Sequence, residues 1–394
     1  MTARTIVILV GTSLALVVAG GIVLRAGQRA SITTNATTIR GPLLPALARD
    51  PGEAERIIVT RGGLRVVLER VGPGASRWVV ASKHGYPADE RAVRGVLTGA
   101  IDAVVVEEKT ALASNFARLG VADQSDGDAT APPGTISTRL RIEGIAPPDG
   151  AKAERAVLGD VLIGRPEVAA PGAPRGPARV FVRRVGEPRA MLAEGTLAAE
   201  PDWLAWVSTL ISRLDEVTID RVEVVRPGAE PLIIERSTES GALAISGMPE
   251  GRTLRDEMAL ARLASVVSTL TFEDVAPATT ITMPQAETVI ARFTRRDGLT
   301  MMVHTHRRGE EFWIKAEAAF SSKVADSTAD AAGEAQVREM NERWSPWAFR
   351  IAPFRGEDLT RTLEDLLAPP PDQQTPGTLP TQPEVAPPSL VPGP

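Results

Sequence analysis

His304, Thr305 and His306 place two imidazoles at i and i+2, a spacing that turns both to one side of a β-strand, with Glu310 and Glu311 just beyond the next turn. Zinc or another divalent ion accepts imidazole nitrogen and carboxylate oxygen as ligands, so His304 and His306 are the candidate metal ligands. The spacing specifies no third ligand, and two histidines on the solvent face of a strand need no metal. The same pair would also suit a pH-sensitive surface.

Other chemistries find less to build on. Ser-His-Asp catalysis would have to use His84, His304 or His306, and the chain has no Gly-x-Ser-x-Gly turn to expose a serine. No Gly-x-x-x-x-Gly-Lys-Ser/Thr run is present to cradle phosphates, and Gly62-Gly63 reads as a hairpin turn. Glu107-Glu108 and Glu273-Asp274 are paired acids that recur at matching places in the two halves. A shared position at a helix exit explains them better than acid/base catalysis. Trp203 and Trp206 at mid-chain, and Trp344 and Trp347 near the end, suit packing between domains. Exposed, they would be candidate partner-binding residues, since Trp is enriched among the residues that carry interface energy. No catalytic or cofactor-binding residue is assigned, no cofactor is expected, and the expectation is a protein that is not an enzyme.

Regular elements must hold these residues. Leu64, Val66 and Leu68 alternate with Arg65, Val67 and Glu69 as on a strand with one buried face, and Trp78-Val79-Val80 suits a neighbouring strand. Val93, Val96, Leu97, Ala100, Ile101 and Val104 form a helical apolar stripe, opened by Pro87-Ala88-Asp89 with Asp89 as its N-cap. A shorter helix from about residue 111 stops at Gly120, and strands follow at 138–142, 156–163 and 179–185, the last leading into 190–193. The Pro/Gly-rich interval 166–177 reads as a loop.

The second half repeats the plan. Strands are expected at 222–224, 232–235 and 243–245. A helix follows with Leu260, Leu263, Val267 and Leu270 on one face, and Thr253 to Asp256 fits a capping box at its start. Val106-Glu107-Glu108 and Phe272-Glu273-Asp274 correspond at an offset of about 166 residues, close to that between the first strands. Strands at 288–294, 299–305 and 312–316 complete the unit, and the order and offset together indicate an internal duplication. The small, polar insert 321–335 reads as a mobile loop, and closing helices are expected at 334–341 and about 357–367.

The N-terminus carries the strongest address. From Thr5 to Leu24 the chain has no charged residue, and about twenty helical residues span roughly 30 Å, one bilayer core. Its length and the following Arg25 and Arg29 favour an uncleaved anchor over a secretory signal. Flanking charges leave its orientation open. With no Cys there is no lipidated cysteine and no disulfide. Once the anchor and tail are removed, about 325 of the 394 residues remain, enough for two domains. A net charge of -5 and the lack of basic clusters interleaved with aromatics argue against nucleic acid as a partner. From Pro369 onward roughly ten of 26 residues are proline, a composition that cannot bury a core.

Trp78, Pro87-Ala88-Asp89 with its helix, Leu119-Gly120-Val121 with Asp123, Leu162-Ile163-Gly164 and Val180-Phe181-Val182 together resemble the bacterial domain-of-unknown-function family DUF4340. The family usually has an aromatic-Gly-Leu triplet where this chain has Leu119-Gly120-Val121. The resemblance covers about residues 56–236 well, and the second half as a divergent copy. Members look like single-pass membrane proteins with an extracytoplasmic domain, often accompanying ABC transporter components and auxiliary proteins of the gliding-motility type. The resemblance implies a cytoplasmic N-terminus and a periplasmic bulk, and it carries over no catalytic residue.

The resulting expectation is an α+β protein: a membrane anchor (1–29), a tether (30–51), two tandem units of mostly antiparallel sheet with helices on one face (52–200 and 201–367), and a Pro-rich tail (368–394). It would sit in the inner membrane through Thr5 to Leu24 and act as a binding or scaffold accessory to a protein partner in the envelope, an ABC transporter among the candidates. The alternatives are a metal-dependent hydrolase centred on His304 and His306, and a small-molecule binding module at the repeat junction.

Overall fold

The computed structural model describes residues 40–72, 74, 76–123, 136–145, 154–168, 176–321 and 327–369. The expected anchor at residues 5–24 and the Pro-rich segment from residue 370 onward lie outside these. Among the described residues no helix is long and apolar enough to cross a membrane. The protein is α+β, and every strand pairing described is antiparallel. The chain forms two compact units that divide between Ser208 and Thr209.

The first unit opens with β1 (Gly41–Pro42) and α1 (Pro45–Arg49). These residues lie in the stretch read as a tether, and from Gly41 onward that reading is corrected. Leu43, Leu44 and Leu47 are 0%, 2% and 0% exposed, and Arg184 Nε donates to the Leu43 carbonyl oxygen at 2.7 Å. Burying three leucines gains about 1.5–3 kcal/mol each, which offsets much of the entropy lost on ordering so short a run.

Next come β2 (Arg56–Arg61) and β3 (Leu64–Val71), joined by Gly62 and Gly63 at φ 54° and 85°. A two-residue hairpin turn with both φ values positive matches the twist of its strands, and glycine enters it without strain. Val66 and Leu68 are fully buried as expected, but Leu64, beside the turn, is 58% exposed. β4 (Arg77–Val80) and β5 (Tyr86–Pro87) follow, then α2 (Glu90–Asp102), whose N-cap Asp89 accepts the Arg91 N–H at 2.8 Å. Val93, Val96 and Ala100 are its buried stripe. After β6 (Val104–Glu108), the helix expected from residue 111 is shorter: a 3-10 turn precedes α3 (Phe116–Leu119), which stops at left-handed Gly120, φ 72°. β7 (Thr138–Glu143), β8 (Val157–Pro166), β9 (Arg179–Arg184) and β10 (Met191–Glu194) complete a ten-stranded sheet in the order β1-β6-β10-β9-β8-β7-β2-β3-β4-β5.

The second unit contains β11 (Leu210–Ser212), β12 (Ile219–Val225), β13 (Leu232–Arg236), β14 (Leu243–Ile245), α4 (Ala259–Ser265), β15 (Leu270–Thr271), β16 (Asp274–Pro277), β17 (Val289–Arg295), β18 (Leu299–Arg308) and β19 (Glu311–Phe320). α5 (Ser327–Trp344), β20 (Trp347–Ile351), α6 (Pro353–Leu359) and α7 (Leu363–Leu366) close it. Its main sheet runs β14-β13-β12-β17-β18-β19-β20-β16, and β11 pairs with β15 separately. In the first unit the run from β4 to β6 reads β4-β3-β2-β7-β8-β9-β10-β6. Strand for strand the two orders agree: a three-strand meander, a helix, a strand sent to the far edge, then a four-strand meander filling the space between.

Three local expectations are corrected. Thr253 and Asp256 form no capping box on α4, because the Thr253 carbonyl accepts the Ala368 N–H at 2.8 Å and Leu254 bridges Leu367, drawing the segment out straight. A capping box does form on α7, between Thr362 and Asp365. The insert read as a loop is helical from Ser327, within a segment rich in Ala, Glu, Gln and Arg, all strong helix formers. The last expected helix is two, α6 and α7, with Thr360 to Thr362 between them, and β20 had no counterpart in the sequence reading.

Candidate functional site

β18 carries the candidate metal ligands. Residues Leu299, Met301, Val303 and Thr305 alternate inward on its buried face, which leaves His304 and His306 together on the other. The pair does share a face, as its spacing requires. His304 lies opposite Lys315 of β19, and its Nε2 is 3.8 Å from Glu317. His306 lies opposite Trp313 and is 7% exposed, with Nδ1 3.9 Å from Glu287. Each imidazole thus faces a different carboxylate, at more than hydrogen-bond distance. Among the described residues no group of three or more His, Asp or Glu side chains is placed to hold a metal ion. Glu310 and Glu311 look elsewhere: Glu310 pairs with Arg307 at 3.4 Å, while Glu311 accepts from Trp313 Nε1 at 3.0 Å and Arg350 at 2.9 Å. These two donors hold the Glu311 carboxyl below its ordinary range, the indole N–H contributing more than the guanidinium.

Most of the remaining candidates are spent on structure. His84 is exposed in a left-handed turn, φ 57°. Glu107 pairs with Lys109 at 2.7 Å and Glu108 with Arg189, while Asp274 accepts the Val275 N–H at 2.8 Å. Glu107 and Glu108 end β6, whereas Asp274 begins β16 and Glu273 precedes it, so the two pairs do not occupy the same place on their strands. Trp206 and Trp344 are 2% and 1% exposed, and their indole N–H groups donate to the carbonyls of Glu200 at 2.8 Å and Ile211 at 3.1 Å. Buried and internally bonded, these two are packing anchors. Trp203 is half-buried with Lys83 Nζ 4.7 Å above its ring, and Trp347 is half-buried on β20.

Three of the five pieces that carry the family resemblance, those at residues 119–123, 162–164 and 180–182, converge in one knot. Phe116, Val121, Leu162 and Ala190 form a buried cluster, with Leu119 and Phe181 packed against it. Gly164 admits the α3 exit: a Cβ there would lie 2.3 Å from the Leu119 carbonyl oxygen and 3.0 Å from that of Gly120. Arg183, 4% exposed, completes the knot. It donates from Nε to the Val121 carbonyl at 2.9 Å, pairs with Asp123 at 2.6 Å and stacks 4.7 Å over the Phe116 ring. Sequence reasoning missed Arg183 because a buried arginine interrupts the alternation of β9, where Val182 beside it is buried too. The only signal was an Asp three residues beyond a helix-stopping Gly, a carboxylate that a cation from a neighbouring strand could meet.

A family model described as a domain of unknown function (DUF4340) matches residues 78–288, from Trp78 through the whole knot and into the second unit. No curated protein and no solved structure matches the chain.

Proposed function

We propose that this chain, which belongs to the DUF4340 family, is a single-pass inner-membrane protein whose two tandem periplasmic units act by binding, as a non-enzymatic accessory to an envelope complex such as an ABC transporter. The observation that carries this reading is where the chemistry-bearing residues sit. The motif residues at 119–123, 162–164 and 180–182 are spent on a packing knot, and the two histidines with ligand spacing face different carboxylates. The apolar run Thr5 to Leu24, about 30 Å long as a helix, supports the anchor.

The two units are a duplication in this reading. Its support is the shared eight-strand order, with a helix placed after the third strand in each, added to the offset of about 166 residues in sequence. Two α+β units of unrelated origin have many other orders open to them.

In vivo crosslinking followed by detergent pulldown tests the accessory role. Recovery of one envelope complex in stoichiometric amount is expected, and its repeated failure would overturn the proposal. Reporter fusions after residue 394 test the address: activity on the cytoplasmic side would remove the periplasmic placement.

A further inference from the structure

Beside α6 and α7, within the second unit, lies a cavity of about 460 Å3. Val289, Thr305 and Phe312 form its sheet side. Val289 and Thr305 are direct cross-strand partners, as are Arg307 and Phe312, and Arg307 is two residues beyond Thr305, so all four side chains share the inner face. The volume falls within the range of small-molecule sites and is ample for a ligand of a dozen heavy atoms.

Charges of both signs line this space, and most are already matched. Arg226 donates to the Thr360 carbonyl, Arg361 pairs with Asp358 at 2.9 Å, and Arg307 Nε donates to the Gly309 carbonyl at 2.8 Å. Asp365 accepts the Thr362 N–H at 2.8 Å and its hydroxyl at 2.7 Å. Besides Glu287, whose carboxylate lies 3.9 Å from His306 Nδ1, three lining groups stand apart. Among the described residues, no partner holds the Arg255 guanidinium, the Glu357 carboxylate or the Thr305 hydroxyl, and Thr305 is 1% exposed. A buried hydroxyl without a partner is uncommon and costs roughly 1–3 kcal/mol, so its retention at the wall of a polar cavity is informative.

One unmatched cation, two carboxylates without a hydrogen bond (Glu357, and Glu287 at 3.9 Å from His306 Nδ1) and one desolvated hydroxyl define the complementary ligand. A simple anion would meet Glu287, Glu357 and Asp365 with nothing to offer them, and a simple cation would meet four guanidiniums. We propose that this cavity binds a small zwitterion of amino-acid or dipeptide size, with its carboxylate at Arg255, its ammonium at Glu357 and a hydrogen bond to Thr305.

The test is calorimetric titration of the full-length protein in detergent with L-leucine and L-alanyl-L-alanine, with N-acetyl-L-alanyl-L-alanine, L-alanyl-L-alanine amide and inorganic phosphate as comparisons. Saturable binding of a zwitterion is expected, with both capped dipeptides at least ~10-fold weaker, since each loses a charge-assisted hydrogen bond. Arg255→Gln and Glu357→Gln are expected to weaken the zwitterion ~10-fold or more with unchanged melting temperature, because both side chains are exposed and unpaired. Binding of neither zwitterion overturns the proposal. So does equal affinity for capped and free forms, or binding of phosphate alone.

Discussion

The Arg183 guanidinium donates from Nε to the Val121 carbonyl oxygen at 2.9 Å, tying β9 to the exit of α3 across 62 residues of sequence. The carbonyl follows the left-handed Gly120 and lies in a fully buried residue, so no strand or helix partner is at hand for it.

Arg183→Leu is therefore expected to destabilise the first unit by about 1–3 kcal/mol, since the substitution orphans the buried Val121 carbonyl. Urea unfolding monitored on the full-length protein reads this as a lower midpoint. A change under 0.5 kcal/mol, the scale of an ordinary surface substitution, would show that the knot contributes little.

Glycine substitutions separate close approach from mere helix propensity. Gly164→Ala and Gly99→Ala are expected to cost roughly 1–3 kcal/mol, because the new Cβ would meet the Leu119 carbonyl oxygen at 2.3 Å and the Thr196 carbonyl oxygen at 2.1 Å respectively. Gly95→Ala, in the same helix as Gly99 but with nothing within 4 Å of its Cβ, is expected to stabilise by about 0.5–1 kcal/mol. Thermal melts of the three variants should fall on opposite sides of the parent.

Asn341 acts as a surrogate strand. Its Oδ1 accepts the Ala318 N–H at 2.7 Å and its Nδ2 donates to the Ala318 carbonyl at 2.9 Å, fastening α5 to β19. Asn341→Ala should lower stability by about 1–3 kcal/mol and accelerate hydrogen exchange at the Ala318 amide; unchanged exchange there would contradict the role.

Acid should weaken the second unit in a defined window. The Thr362 backbone N–H and hydroxyl hold the Asp365 carboxyl below its ordinary 3.8, and the Arg295 guanidinium does the same for Asp297. Both groups bind protons more readily unfolded than folded, so their stabilisation is complete above the ordinary carboxylate range and is lost as pH falls through it toward the lower native values. Melting temperature recorded from pH 6 to pH 2.5 should decline below about pH 4.5, and Asp365→Asn should lower the neutral plateau while flattening that decline.

Periodic and steric features were legible in the chain itself. The stripe of α2 with its Asp89 cap, the Gly62-Gly63 hairpin, the stop at Gly120 and the antiparallel α+β character all follow from 3.6- and 2-residue periods and from backbone freedom, which are local properties. Tertiary structure decided the rest, wherever the deciding partner lay far off in sequence. It took Ala368 and Leu367 to draw Thr253 and Leu254 away from α4, and the sheet beneath to bury Leu43 and Leu47. The spacing of His304 and His306 fixed their common face, but which carboxylate each would meet depended on β19 and on the turn before β17. Arg183 and the cavity at Thr305 belong to the same class. A buried guanidinium or an unpartnered hydroxyl is defined by what surrounds it, and a sequence names the group without naming its surroundings.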